Sequence, residues 1–373
     1  MAVFAAGFRP FFLLASAWAA LAVPVWLAAY VHGYALRGTL PALFWHAHEM
    51  VFGFGFAAIA GFLLTAIPNW TGRLPVRGAA LAALAALWFV GRVGLLISGH
   101  VGAPVAAVLD LAFPVALIAV VARELVAGRN WRNLPMLAAL SLLLAGNVLV
   151  HLHALGVAYS AMLGIRVGIA TLLMLIALIG GRIVPSFTRN WLAKARPGVP
   201  PPAPEGVLDR AALLVTLAAL AAWVFAVAEW PLAVAGLALT ARLARWRGKA
   251  TLAEPLLFVL HLGYGWLALG LVFLGVDGSS AALHALTVGA IGTMTLAVMT
   301  RASLGHSGRP LVADGATRTI YALVSAAAVL RVLSAFSGAH LALVTSLSGL
   351  AWSAAFATFA VHYGRFLLQP RLT

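Results

Sequence analysis

Residues 45–67 read Trp-His-Ala-His-Glu-Met-Val-Phe-Gly-Phe-Gly-Phe-Ala-Ala-Ile-Ala-Gly-Phe-Leu-Leu-Thr-Ala-Ile. From Met50 to Ile67 the run carries no charge. As a helix rising 1.5 Å per residue it comes close to crossing a ~30 Å hydrocarbon core. Lipid offers the backbone no hydrogen-bond partners, so such a run must satisfy its own amides as a helix. Three ionisable side chains, His46, His48 and Glu49, stand at its start. Ionisable groups are costly in a membrane and mark function when they occur there.

The rest of the chain repeats this pattern. It has 373 residues, 64% hydrophobic and only 9% charged, with a mean hydropathy of +1.04. A soluble protein of this size cannot hide that much apolar surface. Twelve spans are read, at about 11–31, 44–67, 79–98, 101–122, 134–153, 159–180, 210–228, 231–243, 255–275, 281–300, 319–336 and 339–363. The eighth is the shortest. Trp45, Trp70, Trp131, Trp191, Trp230 and Trp246 fall near span ends, as an interfacial belt requires. The first span does not read as a signal peptide: Arg9 and Pro10 precede it, it is too long, and no small-residue cleavage site follows.

The net charge of +15 alternates with the spans. Of the 24 Lys and Arg residues, 20 fall at one set of ends, and Arg37 alone lies in a loop on the other side. That is the positive-inside pattern, so both termini are expected to be cytoplasmic. The basic loops suit anionic lipid, and nothing in their distribution suggests nucleic acid. With no cysteine, disulfides, thiolate ligands and iron–sulfur clusters are excluded. A transition metal would need imidazole, carboxylate or thioether ligands. Pro-Gly-Val-Pro-Pro-Pro-Ala-Pro at 197–204 is a semi-rigid spacer in the longest cytoplasmic loop, at about 181–209. It divides six spans from six, and the whole of 1–373 is expected to be one transmembrane domain, with no convincing repeat between the halves.

Topology converts position into depth. His46, His48, Glu49, His151, His153 and His284 fall near outer span ends, and Asp110 lies in the outer half of the fourth span. Arg92, Arg166 and Arg331 sit about 8–11 Å inside an outer end at the helical rise. This layer implies a buried polar cargo, most simply a metal cofactor. Residues two apart on a helix point roughly 200° away from each other, so neither the His46/His48 pair nor the His151/His153 pair grips one metal easily. Glu49 and Met50 share the His46 face. Gly53, Gly55 and Gly61 below the first pair, and Gly289 and Gly292 below His284, allow close helix approach or leave room for a flat macrocycle. Three arginines at this level suit the propionates of haem better than bare copper. His32, His100 and His340 are read as interfacial, and His261, His306 and His362 lie too near the inner side to join the layer.

Several stretches resemble the NnrS family: Phe8-Arg9-Pro10-Phe11-Phe12, Trp45 through Gly53, Thr65 through Gly72, Gly180 through Asn190, and His284-Ala285-Leu286-Thr287-Val288-Gly289 with Thr300 through His306. The resemblance implies a multi-pass bacterial inner-membrane protein associated with haem, copper and nitric oxide or nitrosative stress. The span count and outer histidines also look like the catalytic subunit of haem-copper oxidases and nitric oxide reductases, in architecture only. The adjacent His-His pair of their second metal is missing, as is a His-Tyr pair four apart beside the cluster.

On depth and spacing, His48 and His284 are nominated for the iron of a b-type haem, Arg92, Arg166 and Arg331 for its propionates, and His46, His151 and His153 for copper. His46 and His48 are interchangeable in this scheme. Glu49 and Asp110 are nominated as a proton relay. The expected function is nitric oxide handling, with reduction at this centre and electrons from quinol or a donor protein. The alternatives are a haem, copper or nitric oxide binding or sensing module, and a secondary transporter, whose site would normally lie at the midplane.

Overall fold

The computed structural model describes residues 1–157 and 161–372. Among these residues, eleven helices are long and apolar enough to cross a membrane. They are α1 (Phe8–His32), α2 (Ala42–Thr71), α3 (Ala79–Leu96), α4 (Ala103–Ala127), α5 (Trp131–Ala154), α6 (Ala161–Ala195), α7 (Val207–Val224), α9 (Pro255–Asp277), α10 (Ser280–His306), α11 (Gly315–Phe336) and α12 (Gly338–Leu368). The short span read at 231–243 is α8, an apolar helix at Trp230–Ala244. Among the described residues there is no strand. The chain is therefore an all-helical, multi-pass membrane protein. Its spans expose what a soluble protein buries: Val108 is 70% exposed, Leu214 68% and Val361 79%. Such surfaces belong against lipid.

The largest departure from the sequence reading is α6. The sixth span was bounded near 180, yet the helix runs on through Gly180, Gly181 and Pro185 to Ala195. It passes these residues by widening into a π-turn at Ile176–Gly180. A π-turn frees carbonyls from the ladder and needs outside donors. The Ala177 carbonyl receives one from Arg242 Nη1 at 2.9 Å. That guanidinium also donates from Nε to Asp209 at 3.0 Å and from Nη1 to the Tyr264 hydroxyl at 3.1 Å. Further π-turns lie at Glu49–Phe54 in α2 and Ala285–Gly292 in α10.

By packing, the chain separates into two compact units. The first comprises Met1–Thr171, Ala302–Arg309 and Phe356–Thr373, and the second Leu172–Arg301 and Pro310–Ala355. The first is built on phenylalanine: Phe11 and Phe56 both pack on Phe113, at 5.5 and 6.5 Å, and Phe54 meets Phe356 edge-on at 5.2 Å. Helix α5 crosses the start of α6 almost backbone to backbone. A Cβ on Gly146 would lie 2.7 Å from the Gly164 carbonyl and 3.2 Å from the Gly168 nitrogen. Small residues permit that approach, and lipid-embedded helices depend on it for dispersion contact. The crossing also fixes the rotation of α5, whose next residue is Asn147. In the second unit α9 is held the same way, with Gly263 against Met294 and Gly270 against Leu286, both at 2.7 Å for a built Cβ.

Candidate metal centre

The polar layer expected from sequence becomes, in the first unit, one buried cluster drawn from four helices. His48 and Glu49 come from α2, Arg92 from α3, Asp110 from α4, and Asn147 and His151 from α5. None is more than 4% exposed, which removes water as a competing partner. Each must therefore be satisfied by its neighbours.

Local structure explains the convergence. The π-turn begins at Glu49, directly after His48. Its smaller angular step keeps these adjacent residues turned to one side, and His48 Nδ1 lies 3.1 Å from Glu49 Oε1. Trp88 Nε1 donates to the Gly53 carbonyl within the π-turn at 2.9 Å. Gly53 is small for a reason visible here: a Cβ would stand 2.5 Å from Arg92 Nη1 and 2.7 Å from Glu49 Oε2. Helices α3 and α4 are antiparallel neighbours joined by a short connection, which puts Arg92 and Asp110 at one depth. A Cβ on Gly91 would meet the Asp110 Cα at 3.0 Å. Asn147 and His151 are four apart and share a face of α5.

Arg92 bridges the two acids. Its Nη1 donates to both oxygens of Glu49, at 2.8 and 2.7 Å, and its Nη2 to Asp110 Oδ1. The other Asp110 oxygen, Oδ2, is the hub. It lies 2.8 Å from His151 Nε2 and 3.2 Å from His48 Nε2, and accepts from Asn147 Nδ2 at 2.9 Å. Asn147 Oδ1 is 2.7 Å from His48 Nε2. One guanidinium faces two carboxylates, so with neutral imidazoles the cluster carries a formal charge of −1. A buried site in lipid favours neutrality, and one proton or one metal cation supplies it.

His48, Asp110 and His151 can place one ligand atom each within 4.8 Å of one another. Ligands at ~2.0–2.2 Å from a shared ion stand roughly 3–3.5 Å apart. The 2.8 and 3.2 Å separations from Asp110 Oδ2 are close to that spacing. Asn147, Glu49 and Arg92 would then be the outer partners that orient the ligands.

The nominated residues divide. Of each i, i+2 histidine pair, one member enters the cluster. His48 and His151 do. His46 instead stacks on Trp26 at 4.3 Å, and His153 is exposed with Phe44 edge-on at 5.6 Å. The group that can share one ion is therefore drawn differently from the nominated His46, His151 and His153. Arg92 pairs with carboxylates, and Arg166 is half-buried on α6. His284 and Arg331 lie in the second unit, where they share Ser280. His284 Nδ1 donates to the Ser280 carbonyl at 2.6 Å, which leaves the lone pair on Nε2. Arg331 donates to Ser280 Oγ at 3.2 Å and to Ser334 Oγ at 2.7 Å. Asn147 was missed, although an asparagine one turn before a buried histidine was a readable signal.

The fold and cluster together define a polytopic helical membrane protein with a buried, metal-capable histidine–carboxylate centre. The chain belongs to the NnrS family: the family model described as NnrS protein matches residues 2–371. No curated protein matches the chain.

Proposed function

We propose that this chain is a bacterial inner-membrane protein that holds one copper ion between His48, Asp110 and His151 and meets nitric oxide there. The observation that carries the reading is the buried set of three ligand atoms from His48, Asp110 and His151. Imidazole and carboxylate ligands suit copper, whose affinity for such donors exceeds that of the neighbouring divalent metals. A monovalent ion brings the cluster to neutrality, and a divalent one leaves a single positive charge, so the site tolerates both oxidation states. When bound, the ion supplies a redox-active position at which nitric oxide can coordinate. The protein residues do the rest. Asn147 sets the His48 ring, Arg92 holds Asp110 through its second oxygen, and Glu49 balances Arg92. In this reading Glu49 is a charge partner and Asp110 a ligand, and both remain the acids nominated for proton relay.

Haem fits less well at the two histidines nominated for it. At His48 the Nε2 edge is closed by Asn147 Oδ1 at 2.7 Å and Asp110 Oδ2 at 3.2 Å, which leaves room for an ion between these groups and not for a flat macrocycle. Below His284 the space opened by the glycines is filled by tryptophan: a Cβ on Gly289 would lie 2.7 Å from Trp266, and Gly292 abuts Trp352. No step is therefore assigned to haem. Joining two nitric oxides into nitrous oxide takes two electrons and two protons, and a single copper ion delivers one electron. This favours a binding or one-electron role over a reductase. Purified protein reconstituted with copper should bind about one ion per chain and give an optical or paramagnetic change on exposure to nitric oxide, with no sustained nitrous oxide production from an artificial reductant. Sustained production would establish the reductase reading instead. A copper content near zero after reconstitution would remove the copper reading.

A further inference from the structure

A second polar constellation lies at the other end of α2. Here the chain leaves the span at Thr71, turns through 72–76 and passes the last turns of α4. Between them is a cleft of about 520 Å³ lined by Arg73, Leu74, Val76, Arg123 and Glu124. It is separate from the histidine cluster and shares no residue with it.

Glu124 is the anchor of this cleft. It is 4% exposed, and both of its oxygens are taken by arginine. Arg73 donates from Nε to Oε2 at 2.6 Å. Arg123 donates from Nε and Nη2 to Oε1, at 3.0 and 2.8 Å. The carboxylate thus holds two exposed guanidiniums side by side, 44% and 64% accessible at their side chains. Neither Nη group of Arg73, nor Nη1 of Arg123, is bonded among the described residues. The cleft therefore carries a net charge of +1 and presents preset donors in the planar arrangement that recognises phosphate oxygens.

The surroundings place it at a headgroup level. Leu74, next to Arg73, is 80% exposed and is followed by Pro75 and Val76. Trp131 is exposed nearby in sequence, and Asn130 ties it to the end of α2 by donating to the Trp70 carbonyl. Tryptophans and an exposed apolar loop beside arginines are the composition of a membrane interface. These ends also belong to the basic set of loops. We propose that the Arg73–Glu124–Arg123 cleft binds the phosphodiester of an anionic membrane lipid, one headgroup per chain. The monoanionic phosphodiester matches the single net charge, and Leu74 and Val76 offer apolar cover for the glycerol and first acyl carbons.

The test is native mass spectrometry of the detergent-purified chain titrated with phosphatidylglycerol or phosphatidylcholine. Wild type should take up one phosphatidylglycerol in preference to phosphatidylcholine. The pair Arg73→Gln with Arg123→Gln should weaken that uptake about thirty-fold, and Arg123→Gln alone about five-fold, at roughly one arginine's surface attraction each. The single variant leaves Glu124 paired with Arg73, so it retains the fold if the double does not. Arg132→Gln removes an exposed charge outside the cleft and should change uptake by less than about two-fold. Equal losses in Arg132→Gln and Arg123→Gln would overturn the proposal, since attraction would then be spread over the basic loops. Displacement of the lipid by millimolar inorganic phosphate would also overturn it, by assigning the cleft to a soluble anion.

Discussion

Replacing Arg92 with leucine is expected to destabilise the protein more than any other single change in the cluster. Its guanidinium pairs with both Glu49 and Asp110, which are buried in the first unit. Without it, two buried carboxylates lose the guanidinium they share and have little water to replace it. Removing one partner from a buried ion pair costs about 3–5 kcal/mol, and here one residue serves two partners. Heating followed by size-exclusion detection of the remaining folded fraction should show early loss of the variant. The cause is charge rather than volume, which makes the effect separable. Adding Glu49→Gln to Arg92→Leu removes one of the unpaired charges and should recover a measurable part of the stability, as in a double-mutant cycle. A double variant less stable than Arg92→Leu would mean that the ion pair is not what holds these helices in register.

The second large effect concerns the ligands. His48→Ala and His151→Ala should each lower copper retention by more than the roughly 10–100-fold typical of losing an outer partner, and Asn147→Ala should fall within that range. His46→Ala and His153→Ala should retain copper like wild type, because one ring lies on Trp26 and the other against Phe44. The contrast within each pair matters more than any single value, since the four substitutions remove the same chemical group from the same two helices. Equal retention in all four would show that the buried triad is not the copper site. Metal analysis after gel filtration under anaerobic conditions gives the readout.

Depth was the part of this site that the sequence carried. Alternating basic loops fixed which span ends belonged together, and that put His48, Glu49, Arg92, Asp110 and His151 into one layer before any packing was known. The helical angle between His46 and His48 also showed that only one of them faces a given centre. Which one depends on how α2 is rotated, and that rotation is set by the π-turn at Glu49–Phe54 and by the Gly53 approach to Arg92. No periodicity announces a π-turn, because it is a local response to tertiary donors such as Trp88. The same holds for α6, bounded near 180 from sequence, where the helix continues through a π-turn whose Ala177 carbonyl is satisfied by Arg242. Arg92 was legible in depth, and of the partners an intramembrane arginine can take, an anionic cofactor or a nearby acid such as Asp110, the fold supplies Asp110 across a short turn together with Glu49. The eighth span, weakest by length, was read because the 242–249 basic loop asked for an extra crossing; Trp230–Ala244 is an apolar helix but is shorter than the eleven that are long enough to cross. The twelve-span reading thus rested on charge where hydropathy was thin.

X-ray absorption at the copper edge of the purified, copper-loaded wild-type protein reads the ligands of the ion without any substitution. A coordination shell of nitrogen and oxygen only is expected, with the outer scattering of two imidazole rings and a carboxylate oxygen in place of a third ring. A shell containing thioether sulfur, or one without imidazole scattering, would contradict this expectation, because the metal would then lie away from His48, Asp110 and His151.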